Sequence, residues 1–146
     1  MKLRAPLLLV VGLLIAADAK EDTKKDTEKI QGTWKAIKGE KNGKEAGPDD
    51  LKDMRLVFKD DKLTIQEGIG RNIEATFKLD AGAKLREIDI TIKRDNESGT
   101  IKGLYMLDGD DLKICLPLGG PGKERPKEFA TKEGSGLGIL TLKRDK

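Results

Sequence analysis

The chain has 146 residues, of which 38% are charged and 3% are aromatic, and its formal net charge is +3. This length allows one well-buried domain and is too short for two. The sequence contains no histidine, which excludes Ser-His-Asp and Cys-His nucleophiles and removes the commonest ligand of transition metals.

Residues 1–19 have the pattern of a secretory signal peptide. Two basic residues precede an apolar stretch from Leu7 to Ala17, and Ala17-Asp18-Ala19 fits a small-X-small cleavage site. The apolar stretch is shorter than the roughly 20 residues that span a bilayer. We therefore expect cleavage before Lys20, a secreted or periplasmic protein, and no membrane span after cleavage. The alternative is an uncleaved segment that anchors the chain.

A wholly polar lead-in, residues 20–29, precedes a domain that we place at residues 30–146. Acids and bases in the lead-in occur at helical spacing, as in Glu21 and Lys25, which favours a short helix. A solvated, frayed terminus is an equal alternative. We expect Ile30, the apolar residue that follows the lead-in, to dock on the end of the domain.

From Gly32 onward apolar and polar residues alternate, which is the period of β-strands. Asn42-Gly43 and Asp108-Gly109 are strong hairpin-turn sequences. Pro48 begins a predicted helical turn that ends near Met54 and is a candidate lid or mouth. The predicted strands are 32–41, 55–59, 62–67, 72–79, 86–93, 100–107, 111–116, 128–131 and 137–144.

These strands predict an all-β fold, an antiparallel up-and-down barrel of about eight strands with a short N-terminal helix and one helical turn. A flat sheet of this size would leave an apolar face in water, whereas closure buries it. The residues predicted to face inward are almost all apolar: Trp34, Leu56, Phe58, Leu63, Ile65, Phe77, Leu79, Ile88, Ile90, Ile92, Ile101, Tyr105, Leu107, Leu112, Ile114 and Leu140.

The inward-facing residues support two interpretations. They line a cavity for a hydrophobic ligand, or they fill a narrow barrel. The candidate cavity-lining residues are Phe58, Phe77, Ile90, Tyr105 and Ile114. Among them, Tyr105 alone can offer a polar group from within.

The first and last strands resemble the lipocalin and calycin pattern. Gly32-Thr33-Trp34 begins the first strand, a helical turn follows it, and the last strand of the meander carries Arg144 near its end. In that superfamily the Trp closes one end of the barrel and a basic residue packs across its ring. The resemblance implies closure by Gly32, Trp34 and Arg144 through a cation–π contact, with Lys143 as the alternative cation.

A more extensive resemblance covers about residues 29–144. It is to a family of small exported lipocalin-like domains that is abundant in planctomycete bacteria and has no characterised function. The similar segments are 30–34, 61–65, 76–80, 88–91, 105–110, 112–115 and 121–129. Gly122-Lys123-Glu124-Arg125-Pro126 and the Gly-Thr-Trp segment are the more specific of these. The resemblance implies the fold and export, and it implies no particular chemistry.

The segment Pro121–Pro126 is the most unusual sequence outside the strands. Backbone N–H groups at Gly122 and its neighbouring glycines could face an anion that Lys123 and Arg125 neutralise. The alternative, which ordinary loop composition favours, is a rigid connection in which Arg125 pairs with an acid at the barrel rim. Gly122, Lys123 and Arg125 are thus the candidate site residues of this loop.

Other residue types argue against catalysis and metal binding. Cys115 is the only cysteine, so no intrachain disulfide can form, and its strand position predicts an inert, buried thiol. The acidic clusters have the composition of turns, and none matches a calcium loop. We expect no catalytic residues, no metal, no cofactor and no enzymatic activity.

The distribution of charged and aromatic residues indicates which kinds of partner to expect. Charges of both signs alternate along the chain and the few aromatics are scattered, so we expect no nucleic-acid partner. We expect an exported monomer that binds a small hydrophobic molecule or a component of the cell envelope. The alternative is a structural or protein-interaction module with a filled core, acting through its surface loops. An open apolar cavity would separate the two.

Overall fold

The computed structural model describes residues 21–68, 70–82, 84–94 and 97–145. The expected signal peptide, residues 1–19, lies outside these ranges. Neither of the two helices found within them is long and apolar enough to cross a membrane.

The described residues form a closed antiparallel barrel with two short helices. Helix α1 spans residues 21–29 and helix α2 spans Pro48–Leu51. The strands are β1 (Gly32–Lys41), β2 (Lys44–Glu45), β3 (Arg55–Lys59), β4 (Lys62–Gly68), β5 (Arg71–Asp80), β6 (Glu87–Arg94), β7 (Glu97–Asp108), β8 (Asp111–Pro117) and β9 (Leu137–Arg144).

Strand β1 pairs with β3, each strand from β3 to β8 pairs with the next one in sequence, and pairing of β1 with β9 closes the barrel. Eight strands form the wall, and β2 is a two-residue addition to the end of β1. The predicted up-and-down barrel is therefore confirmed, as are the N-terminal helix and the helical turn.

Turn chemistry fixes the hairpins where the sequence placed them. Asn42 and Gly43 have φ angles of 51° and 83°, and Gly109 has a φ of 60°. These left-handed values are tolerated by Asn and favoured by Gly, which explains the Asn-Gly and Asp-Gly sequences. Asp60, with a φ of 56°, makes the tight turn between β3 and β4.

The strand predicted at residues 128–131 is wrong. This part of the chain has turn and irregular structure. The physical reason is that β8 already pairs with β7 and β9, and β9 pairs with β8 and β1. No edge remains there for another strand to join, so the segment lies outside the barrel wall.

Most of the residues predicted to face inward belong to one buried core cluster, and the other five pack against it while partly buried: Ile65, Ile92, Ile101, Leu107 and Leu140. Phe58 and Phe77 meet edge to face within this cluster, with ring centroids 4.9 Å apart, a favourable geometry for aromatic pairs. Ile30 also joins the cluster and is completely buried, as expected of the residue that docks the lead-in on the barrel.

Candidate functional site

Helix α1 lies across one end of the barrel, which we call the closed end. The side chain of Gln31 holds the β3–β4 turn, because its Nε2 donates to Asp60 O at 2.9 Å and its Oε1 accepts from Asp60 N at 2.6 Å. Thr23 Oγ1 accepts from the backbone N–H of Ala81, after β5, at 3.0 Å. The helix is thus attached to two turns of the barrel.

A buried carboxylate connects α1 to the barrel interior. Asp26 is 4% exposed, and its Oδ2 accepts hydrogen bonds from Tyr105 Oη and from Arg86 Nη1, both at 2.6 Å. A buried charge is tolerated only when it is paired and hydrogen-bonded. These two donors therefore let α1 insert an acid into an otherwise apolar end of the barrel.

Tyr105 is a hydrogen-bond donor that stays neutral. Burial raises the pKa of Tyr105 well above its usual value, and the hydrogen bond to Asp26 raises it further. The phenol therefore keeps its proton at physiological pH. Its hydroxyl is committed to Asp26, so the one polar group that the sequence offered to a ligand inside the barrel serves to hold α1.

Arg144 brings the N-terminal and C-terminal segments together at the same end. Its guanidinium carbon lies 4.3 Å from the centroid of the Trp34 ring, so the cation–π contact implied by the resemblance is present with Arg144. Lys143 is exposed. Arg144 Nη1 donates to Gln31 O at 2.8 Å and Nη2 to Lys29 O at 2.6 Å.

Gly32 completes this closure. Its φ of 115° is rare for residues with a side chain, and a Cβ atom there would lie 3.3 Å from Arg144 Nη1. The indole N–H of Trp34 donates to Ile30 O at 2.8 Å. The structure thus brings Gly32, Trp34 and Arg144 together, and Trp34 and Arg144 both donate to the backbone at the end of α1.

The opposite end, which we call the mouth, has a different surface. Register places six aliphatic residues on the inner face of the wall there, and all six are half-buried; these mouth residues are Ile65, Ile73, Ile92, Ile101, Leu116 and Leu140. Inward-facing residues toward the closed end, such as Trp34, Ile88 and Leu112, are completely buried. Leu107, beside the β7–β8 turn, is an exception and is half-buried.

The five candidate lining residues lie below the mouth. Phe58, Phe77, Ile90, Tyr105 and Ile114 are all between 1% and 6% exposed. They form a packed floor rather than an accessible surface. None of the six mouth residues was among the candidate lining residues, and Ile73 and Leu116 were also missing from the residues predicted to face inward, although each shares the inward face of its strand with a predicted core residue.

The helical turn α2 covers one side of the mouth. Leu51 is 8% exposed and belongs to the core cluster, and Met54 packs against that cluster while half-buried. The segment proposed as a candidate lid therefore lies where a lid would be needed, with one side chain inserted into the interior.

The loop candidate lies on the outside of the wall. Arg125 Nη1 donates to Gly103 O at 2.8 Å, and Nη2 donates to Asp89 Oδ1 at 2.5 Å. Gly122 and Lys123 are exposed. Because the Arg125 guanidinium is committed to β6 and β7, this geometry favours a rigid connection over an anion site.

Cys115 lies beneath the same connection. It is completely buried on the outer face of β8, and burial raises the pKa of its thiol, while a backbone hydrogen bond from Ala130 lowers it less. A protonated, covered thiol is a poor nucleophile. In the described ranges no three Cys, Asp or Glu side chains group closely enough to hold a metal.

The arrangement leaves aliphatic side chains half-buried at the mouth and has a fixed, hydrogen-bonded closure at the other end. Asp26 and Arg86 were missed by sequence reasoning. The available signal was that Asp26 shares a helix face with Ile30, four residues later, and that an inward Tyr105 requires a partner. Comparisons with protein-family models, with curated proteins and with solved structures found no match.

Proposed function

We propose that this protein is an exported, non-enzymatic carrier that binds a small hydrophobic molecule at the mouth of its barrel. The observation that supports this most is the difference in burial between inward-facing residues at the two ends. When a ligand covers aliphatic side chains that face inward and are half-buried, the complex is stabilised by about 25 cal/mol per Å² of apolar area removed from water.

The same residues indicate the chemical class of the ligand. The mouth residues are all aliphatic, and Tyr105 donates its hydroxyl to Asp26. In the described part of the chain, every buried side-chain nitrogen and oxygen has a hydrogen-bond partner. A polar ligand group that entered would lose water and gain no partner, at a cost of about 1–3 kcal/mol. The buried part of the ligand is therefore hydrocarbon, and a cell-envelope component with such a part also fits.

Binding of the uncharged fluorescent probe N-phenylnaphthylamine tests the carrier. Ile101→Ser, at the mouth, is expected to weaken probe binding about tenfold, because burying an Ile side chain contributes about 1.5–3 kcal/mol. The control is Met106→Ser, on the outer face of β7, where the side chain is 54% exposed. Equal binding by the wild type and both variants, or no binding by the folded wild type, would contradict the proposal.

A groove on the outer wall favours the second candidate, a protein-interaction module. It has a volume of about 640 Å³ and lies between the residues before β6, the C-terminal end of β7 and Phe129. Leu85 and Met106 expose 39% and 54% of their surface there, and exposed apolar patches often mark interaction sites. If the protein is such a module, it forms a complex with a protein partner that size-exclusion chromatography can detect. Met106→Lys would then abolish this complex and leave binding of the fluorescent probe unchanged. A complex that survives Met106→Lys would argue against the groove.

A further inference from the structure

We propose that residues 118–121, between β8 and β9, form a gate over the mouth, and that movement of this gate controls the rate at which an apolar ligand enters and leaves. The inference rests on the carrier function proposed above. It concerns a segment outside the strands, and two glycines in the barrel wall carry it.

The first glycine is Gly138 in β9. It lies two residues before Leu140, so it faces the interior. A Cβ atom at Gly138 would lie 2.8 Å from Leu118 Cδ2, closer than side-chain atoms approach. Leu118 therefore occupies the space in which a side chain of β9 would otherwise stand.

The second glycine is Gly99 in β7. It lies two residues before Ile101 and pairs with Ile92, both of which face inward. A Cβ atom at Gly99 would lie 2.5 Å from Pro121 Cβ and 2.7 Å from Pro121 Cγ. Pro121 is thus seated on β7 as Leu118 is seated on β9.

Backbone conformation does not require glycine at either position. Unlike Gly120 and Gly122, which have φ angles of 83° and 87°, Gly99 and Gly138 lie in regular strands outside the left-handed region. A residue with a side chain would suit the local backbone at both. The close approach of Pro121 therefore explains the missing side chain at Gly99, and the close approach of Leu118, together with Glu40 O at 3.2 Å, explains it at Gly138.

The two sides of the mouth are covered to different degrees. On one side, α2 places Leu51 against Gly39, and Leu51 is 8% exposed. On the other side Leu118 is 43% exposed and Pro121 is exposed. Little apolar area is buried where Leu118 and Pro121 are seated, so lifting this side costs much less than lifting α2.

The segment also has defined points about which it can move. Leu118 N donates to Gly136 O at 2.7 Å, and downstream Arg125 is bonded to Gly103 O and Asp89. Between these attachments, Gly120 and Gly122 flank Pro121 and can take up large changes of φ and ψ. The attachments limit the opening to a short segment above the mouth.

Alanine in place of Gly99 or Gly138 should hold the gate open. Gly99→Ala and Gly138→Ala place a methyl group where Pro121 and Leu118 now lie. At Gly138 the methyl carbon would also lie 3.2 Å from Glu40 O of β1, so Gly99→Ala is the cleaner of the two variants. Association and dissociation rates of N-phenylnaphthylamine, measured by stopped-flow fluorescence, are expected to rise together by at least about fivefold, because such overpacking disfavours the closed state. The equilibrium affinity should change much less than either rate.

Two further variants keep the test decisive. Met106→Ser is the control, because Met106 lies on the outer face of β7, outside the gate and the mouth, and is 54% exposed; its rates should equal those of the wild type. Leu118→Ala trims the gate at an exposed position. It should raise both the association and the dissociation rate. Circular dichroism shows whether Gly99→Ala and Gly138→Ala fold, and Leu118→Ala still tests the gate if they do not.

Each outcome has a distinct meaning. If the folded wild type does not bind the probe, the carrier function is wrong and the gate is wrong with it. If the wild type binds but Gly99→Ala, Gly138→Ala and Leu118→Ala leave both rates unchanged, the gate alone is overturned. Weaker binding without faster association in these variants would also overturn it, because Leu118 and Pro121 would then be part of the ligand site.

Discussion

The two ends of this barrel are built from the same alternating strands but are covered in different ways. At the closed end, α1 buries Asp26 and Ile30 and joins the wall through side-chain hydrogen bonds. At the mouth, inward-facing aliphatic residues remain half-buried beneath α2 and residues 118–121. The comparison teaches that the strand pattern determines which residues face inward, whereas the covering segments determine whether those residues are completely buried or remain partly accessible.

The largest difference in stability is expected when an isoleucine is replaced by alanine first at the closed end and then at the mouth. Ile88→Ala, at a completely buried position, should lower the free energy of unfolding by about 2–5 kcal/mol. Ile101→Ala at the half-buried mouth should cost about 1 kcal/mol, because less apolar area is lost. Urea unfolding measures both. Equal losses would show that the two ends are packed alike and would break the comparison.

A smaller loss is expected from Tyr105→Phe. The change removes the donor 2.6 Å from Asp26 Oδ2 while leaving the ring, and hydrogen bonds to charged groups contribute about 1.5–3 kcal/mol. The free energy of unfolding should fall by that amount, with probe binding at the mouth unchanged. A loss of probe binding in a folded variant would place the ligand beside Tyr105 instead.

The hydrogen bond between Tyr105 and Asp26 should also make the free energy of unfolding depend on pH in the alkaline range. Because the pKa of Tyr105 is raised in the folded state, its contribution is fully present below the unfolded value of about 10 and is lost as pH rises above it. The slope from this group is at most about 1.4 kcal/mol per pH unit. Lysines also titrate there, so the wild type and Tyr105→Phe are compared by urea unfolding between neutral and strongly alkaline pH. Parallel profiles would contradict the assignment.

The smallest of these effects is expected from Arg144→Lys. Lysine keeps the charge but loses the planar fork that donates to Lys29 O and Gln31 O while stacking on Trp34. We expect a loss of about 1 kcal/mol in thermal or urea unfolding. Lys143→Ala, at the neighbouring exposed position, serves as the control and should be neutral. A loss of free energy of unfolding as large as that of Ile88→Ala would contradict the view that Arg144 stabilises only the contact between the barrel and the end of α1.

Much of the barrel could be predicted because its strands are locally encoded. A strand such as β6 alternates Ile88, Ile90 and Ile92 with polar residues, and glycine turns fix the hairpins, so the facing of each residue follows from its neighbours. The strand expected at 128–131 failed because pairing depends on which edges are free. That property belongs to the assembled sheet and not to the segment.

The candidate site was predicted less well for a similar reason. Asp26 looks like any other acid in a charged lead-in, and its burial depends on where α1 docks. Gly99 and Gly138 look like ordinary strand glycines until Pro121 and Leu118 are seen beside them. The closure by Trp34 and Arg144 was implied by a family resemblance, because the two residues lie far apart in sequence and no local pattern joins them.

Native mass spectrometry of the protein, purified without detergent from its own host and compared with the denatured protein, tests the carrier function most directly. The account predicts additional mass in the native spectrum that disappears on denaturation and belongs to a molecule with a hydrocarbon part. A bare native mass, together with failure of the folded protein to bind N-phenylnaphthylamine, would contradict the carrier function and direct attention to the outer groove beside Met106.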